Sequence, residues 1–334
     1  MESSGLLPPA PASGATPCDP AAIALTAHSR ALLVANLAAP PLTPPLLPTA
    51  RAAREASVAA ALSRVGVARV RAVTDVAGAA GVPPLRVYEP LAPSSTAPTL
   101  LFLHGGGWAL CSVRTHDGLC RALCSLTGCD VVSVDYRLSP EAAFPLPLDD
   151  CAAGFAWAAR RAGAAGVVLC GDSAGGNLAA ALALRLRDEG APARPLAQVL
   201  IYPALDAACG GDSYRRFSAG FALTLEKMQF YWGLYTGEDG GGGGGLQKWP
   251  YVSPLHAASL AGLPPALVVL ADADVLRDEG AAFAAALQRA GVRADVALFH
   301  GVLHGFIADP ENEVAEEAVR AIAAWLRDAG IVKV

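Results

Sequence analysis

The spacing of apolar residues changes character along this chain, and the changes mark its parts. A helical period runs from residue 21 to about residue 37 and gives way to a proline-rich bend, PPLTPPLLP, at 40–48. A second helical stretch covers about 49–63, with Arg51, Arg54 and Glu55 on its polar side. The segments VARVRAV (67–73) and PLRVYEP (84–90) then alternate apolar with polar residues, as an antiparallel hairpin at a sheet edge does. After Thr99 the rhythm becomes short apolar run, helical run, short apolar run. TLLFLH (99–104), a helix over about 116–126, DVVSVDY (130–136), a helix over about 148–161, GVVLC (166–170), a helix over 177–189 and QVLIYP (198–203) follow in order. Continuous apolar strands separated by helices predict a parallel sheet covered on both faces.

The stretch from about 206 to 248 breaks that rhythm. It holds the aromatic, helix-like run SYRRFSAGFALTLEKMQFYWGLYTG, then Glu238, Asp239 and six glycines, Gly240 to Gly245. No strand leads into the glycines and no Lys-Ser/Thr follows, so they read as a surface linker and not a phosphate loop. Residues 1–20 are dominated by Pro, Ser and Gly and read as disordered.

The chemistry concentrates at four places. Gly171-Asp172-Ser173-Ala174-Gly175 sits between the strand GVVLC and the helix that follows, which is the context of a nucleophile elbow. Flanking glycines suit a turn so tight that side chains would meet the neighbouring strand and helix. The strand at 99–104 runs into Gly105-Gly106-Gly107-Trp108, where backbone N–H groups are open to an oxyanion. Gly106 and Gly107 are the preferred donors there, with Gly105 as the turn and a further candidate, and Ala174 N–H completes the set. The base must follow the serine. His300 closes the strand VALFH (296–300), whereas His304 lies on the loop beyond it and is preferred; His256 reads as a surface histidine. The acid comes from the loop after ALVVL (266–270), where Asp272 and Asp274 compete and Asp278 enters the next helix.

HGGGW (104–108), DYRLSPE (135–141), GDSAGGN (171–177), ADADVLRDEG (271–280) and HGF (304–306) together resemble the hormone-sensitive-lipase-like esterases of the α/β-hydrolase fold. That group includes bacterial carboxylesterases and arylacetamide deacetylases, with plant carboxylesterases and the gibberellin receptors related. The resemblance runs from about Arg69 to the end of the chain. It implies a mostly parallel central sheet with helices on both faces and a helical cap. Residues 67–334 would form the catalytic domain, and residues 21–66 with the insertion at about 206–248 would form the cap. It places the acid at Asp274, with Val275 where the family usually has proline, a change expected to loosen the loop. It also implies that Asp135, Arg137 and Glu141 form a structural ion-pair cluster, and that Asp172 is a structural hydrogen-bonding group. Trp108, Phe217 and Phe221 become candidate substrate contacts, with Phe230, Tyr231, Trp232 and Tyr235 as further pocket candidates.

The implied reaction is hydrolysis of short- to medium-chain acyl esters by Ser173, His304 and Asp274, with deacetylase or amidase chemistry as variants. A non-catalytic small-molecule receptor on the same fold is the competing reading. The histidine decides between them, since the receptors have lost it and His304 is present. No cofactor is implied.

Composition narrows the partners. Of 334 residues 53% are hydrophobic and 16% charged, with a net charge of −5, so the chain buries a large core and offers no basic patch to nucleic acid. A small-molecule ester is the expected partner, with no membrane, and either a monomer or a homodimer. The eight cysteines are scattered and read as reduced packing residues. His116, Cys120 and Cys124 share one helical face, but structural zinc sites close between separate segments, so no metal site is assigned. The N-terminus lacks a charged n-region and an apolar h-region, which points to the cytoplasm. Its acid-poor Ser/Ala/Pro opening is also compatible with an organelle transit peptide, although the first arginine is Arg30.

Overall fold

The computed structural model describes residues 23–37, 41–79, 81–237, 245 and 248–332. The disorder expected over 1–20 and all but the last of the six glycines lie outside the described residues.

Eight strands form one sheet: β1 (Ala72–Val76), β2 (Leu85–Glu89), β3 (Thr99–Leu103), β4 (Asp130–Val134), β5 (Val167–Asp172), β6 (Ala197–Ile201), β7 (Ala266–Ala273) and β8 (Ala294–Leu303). Their order is β1-β2-β4-β3-β5-β6-β7-β8. The first two pairings are antiparallel and the other five parallel. β1 starts five residues later than the alternation in VARVRAV suggests, and its partial exposure marks the sheet edge.

The helices are α1 (Ala27–Leu37), α2 (Leu47–Val65), α3 (Asp117–Thr127), α4 (Leu146–Ala162), α5 (Ala174–Asp188), α6 (Asp212–Arg216), α7 (Leu225–Thr236), α8 (Arg277–Arg289) and α9 (Ala315–Asp328). Alternate strand residues feed two separate cores. Leu101, Leu103, Leu169 and Val268 pack with α4, α5 and α8, while Leu100, Phe102, Val168 and Val269 pack with α3 and α9. The two-residue period of each strand thus divides one continuous apolar run between two helical layers. Fully burying each such side chain contributes about 1.5–3 kcal/mol. α5 is buried nearly all round, which explains its run of alanine and leucine.

The polar side of α2 turns towards the body of the protein. Arg51 donates to Ala109 O (2.7 Å) and Ser139 O (2.9 Å) and pairs with Glu141 (2.8 Å), and Glu55 accepts from Ser112 Oγ (2.5 Å). The expected cluster of Asp135, Arg137 and Glu141 does not form. Arg137 pairs with Asp150 instead (2.8 Å), Glu141 is taken by α2, and Asp135 makes no ion pair among the described residues. Among the described residues no helix is long and apolar enough to cross a membrane.

Candidate active site

Ser173 follows β5 directly and caps α5, with φ +57° and ψ −119°. This is a strained conformation for a non-glycine residue, and its surroundings hold it there. The Ser173 N–H donates to Ile201 O at the end of β6 (2.8 Å). A Cβ on Gly171 would strike the Gly175 carbonyl, and one on Gly175 would strike that of Leu103, so neither position admits a side chain. β5 itself runs two residues beyond GVVLC, through Asp172, and carries the serine to the sheet's C-terminal edge.

β8 also exceeds its expected end. It continues past His300 to Leu303, so His304 is the first residue beyond the strand. His304 Nε2 lies 2.8 Å from Ser173 Oγ and its Nδ1 lies 2.7 Å from Asp274 Oδ2. Asp274 is 1% exposed and its Oδ1 accepts from Leu276 N–H (3.0 Å). The ring of Tyr202 packs 4.6 Å from the imidazole. Val275, in the place of the usual proline, is fully buried and its carbonyl accepts from Ser213 Oγ (2.5 Å). Asp272 belongs to β7 and not to the loop. Its Oδ2 accepts from Gly301 N–H (3.0 Å), where the β7–β8 register shifts.

Gly105 cannot serve an oxyanion, because its N–H already donates to Asp172 Oδ1 (2.8 Å). Among the described residues no protein acceptor takes the N–H of Gly106, Gly107 or Ala174. The Gly106 carbonyl accepts from Ala109 and Leu110 N–H (3.1 and 2.8 Å), which folds the glycine loop into a closed turn. Trp108, fully buried at φ +55°, stacks on Tyr235 (4.3 Å between ring centroids) and meets Trp232 at the same distance. α7 therefore clamps the loop from above.

Beneath Ser173, His116 Nε2 approaches Asp172 Oδ1 at 3.2 Å. Burial pushes the Asp172 carboxyl up, but the neighbouring His116 and the Gly105 N–H outweigh this and hold it below the usual carboxylate range. Burial pulls the imidazole of His104 down to about 3, with His116 adding to the effect, so His104 is neutral in the folded protein.

A cavity of about 750 Å³ opens above Ser173, within the ordinary range for small-molecule sites. Trp108 lines it, but Phe217 and Phe221 do not. They pack edge-to-face against each other (5.0 Å), with Arg216 and Arg277 over Phe217. Of the other aromatic candidates Tyr231 lines the cavity, Trp232 and Tyr235 back Trp108, and Phe230 is not part of the wall. Unanticipated lining comes from Leu32, Leu46, Arg54, Leu223, Met228 and Asn312. Of these, Leu32 in α1, Arg54 in α2 and Met228 in α7 lie in helices whose period the sequence carries. Among the described residues no group of three or more His, Cys, Asp or Glu is arranged to hold a metal ion.

Geometrically, the site can pass a proton from a serine hydroxyl to an imidazole fixed by a buried carboxylate, beside three free N–H groups. The chain is similar to known ester hydrolases. A family model described as alpha/beta hydrolase fold matches residues 100–308. Carboxylic ester hydrolase LipN of Mycobacterium tuberculosis is 40% identical over 247 residues, which is 70% of this chain and 64% of that protein, a little under two thirds of its length. Ethyl acetate hydrolase of Pseudomonas putida is 35% identical over 242 residues, 70% of this chain and 74% of that protein. The solved hyperthermophilic esterase of the archaeon Pyrobaculum calidifontis is 35% identical, with a TM-score of 0.81 over 92% of this chain and 99% of its own.

Proposed function

Because this chain belongs to the hormone-sensitive-lipase-like family of the α/β-hydrolases, we propose that it is a serine carboxylesterase with Ser173 as nucleophile, His304 as general base and acid, and Asp274 as the carboxylate that orients the imidazole. The observation that carries this is the unbroken relay of 2.8 and 2.7 Å from Ser173 through His304 to Asp274. His304 Nε2 takes the Ser173 proton as Oγ attacks the ester carbonyl. Asp274 holds the proton on Nδ1, keeping Nε2 free, and stabilises the imidazolium that forms. Gly106, Gly107 and Ala174 N–H meet the developing oxyanion. His304 then protonates the leaving alcohol, and a water molecule repeats the sequence on the acyl-enzyme.

Asp172 supports this chemistry through its bond to Gly105, which ties the glycine loop to the elbow. The N-terminal helices and the insertion at 206–248 act as the cap, and the bounded volume of the cavity, about 750 Å³, favours acyl chains of short to medium length. The receptor reading is weakened by His304, which stands in place with both its partners.

The test is Ser173→Ala with an organophosphonate probe. The parent should be labelled at Ser173 and the variant unlabelled, with turnover of 4-nitrophenyl butyrate reduced about a millionfold. Substantial turnover in the alanine variant would sink the assignment.

A further inference from the structure

The wall of the cavity is apolar except at a few points, and two of these are basic side chains. Arg54 from α2 and Lys227 from the first turn of α7 both line it. Neither has a carboxylate within ion-pair distance among the described residues. The acidic residues of the same cavity wall are already engaged: Asp172 faces His116 at 3.2 Å, and Asp309 faces His28 at 2.7 Å. Arg54 is exposed at the mouth, yet its charge reaches inward. Burial raises the thiol of Cys111 and the phenols of Tyr202 and Tyr231, and Arg54 opposes all three shifts. Lys227 is half-buried, with one of its donors spent on Ala222 O (2.9 Å). Tyr231 lies one helical turn beyond Lys227 on the same face of α7, and its ring rests against Gly107. The cations therefore flank the wall on the oxyanion-loop side of Ser173.

From this placement, the geometry points to a substrate class: esters whose acyl arm ends in a carboxylate, read by the Arg54 guanidinium, with Lys227 as a second basic group on the same cavity wall. This deepens the esterase reading and rests on it. The leaving alcohol must stay within reach of His304 to be protonated, so the arm lying along the Gly107–Tyr231 wall is the acyl arm. A carboxylate suits this wall because a guanidinium offers a planar pair of donors that matches its two oxygens. The chain as a whole carries −5, so the attraction is local to the pocket and not a property of the global field.

The experiment compares two esters of equal acyl length, 4-nitrophenyl hydrogen adipate and 4-nitrophenyl hexanoate, with the uncatalysed rate subtracted. The readout is the ratio of their kcat/KM values. In Arg54→Met that ratio should fall about tenfold, and Arg54→Lys should restore part of it. For the parent enzyme the ratio should also fall as salt is raised from about 20 to 500 mM, since the pair is partly exposed. A ratio moved by neither the substitution nor salt overturns the proposal, as does one that moves with salt but not with Arg54→Met. A second pair, phenyl hexanoate and 4-carboxyphenyl hexanoate, carries the carboxylate on the alcohol arm. An effect of Arg54→Met on this pair instead of the first overturns the assignment to the acyl arm. Hydrolysis of the hexanoate by the parent enzyme tests the esterase reading separately, because that reading fails only if neither ester is turned over.

Discussion

Replacing Gly107 by alanine would introduce one methyl group where the structure has no room for it. Gly107 sits at φ +60°, a region that costs a residue with a Cβ about 1–2 kcal/mol relative to its preferred conformations. The new Cβ would also fall inside the contact distance of the Tyr231 ring. That ring cannot simply withdraw, because α7 also carries Trp232 and Tyr235, both packed on Trp108. Overpacking of this kind costs a further 1–3 kcal/mol or so. Together the two terms amount to about 2–5 kcal/mol, shared between a lower Tm and a displaced glycine loop. For a chain of this size the stability share lowers Tm by roughly 1–2 °C per kcal/mol. The activity share is larger, since a shift of about 1 Å in a positioning group costs on the order of a hundredfold. We expect kcat/KM for 4-nitrophenyl butyrate to fall about 100- to 1000-fold, comparable to loss of one oxyanion donor. The control is a double-mutant cycle with Tyr231→Ala. Removing the ring relieves the overlap, so Gly107→Ala should cost at least about tenfold less in that background. A Gly107→Ala enzyme within about threefold of the parent, or strict additivity with Tyr231→Ala, would refute the reasoning.

Asp274→Asn preserves the shape of the carboxylate but favours the wrong imidazole tautomer, and should reduce kcat by about 10⁴-fold; a mild effect there alongside a crippling Asp272→Asn would move the acid to β7. Glu279 gives a pH-dependent stability effect. Burial pushes its carboxyl well above the usual range, only partly offset by the Leu205 N–H at 2.6 Å. A raised folded-state pKa means that its contribution is complete below the unfolded value, near 4.3, and is lost as pH rises towards the folded one. Glu279→Gln should therefore gain a few degrees in Tm over the parent between about pH 5 and pH 8, measured by calorimetry. A Tm difference that is flat across that range would count against a protonated Glu279.

What could be read from the sequence follows a physical division. The elbow is legible because its constraint is local: Gly171 and Gly175 are needed where backbone carbonyls come within contact distance of the turn, and those residues lie in one pentapeptide. His304 is legible for the same kind of reason, since it follows an apolar strand within a few residues and is flanked by glycine. The places where expectation and structure part are those where the deciding partner is distant in the chain. Asp272 reads as a loop residue because aspartate disfavours strands, yet it continues β7 by accepting the Gly301 N–H from β8 at a register shift. Asp135, Arg137 and Glu141 are neighbours in sequence, but Arg137 finds Asp150 and Glu141 finds Arg51, ninety residues earlier. Phe217 and Phe221 have the right chemistry for a pocket and lie in the right insertion. Their mutual contact turns them away from it, and a hydrophobic residue count cannot tell a wall from the packing behind it. The polar side of α2 is the clearest case. A helical period identifies a polar face without saying what that face meets, and here it meets loop carbonyls through Arg51, a serine through Glu55, and the mouth of the cavity through Arg54. The elbow and its serine were thus readable from their neighbours in the chain, whereas the charge that would select a substrate depends on N-terminal helices packed from far away in the sequence.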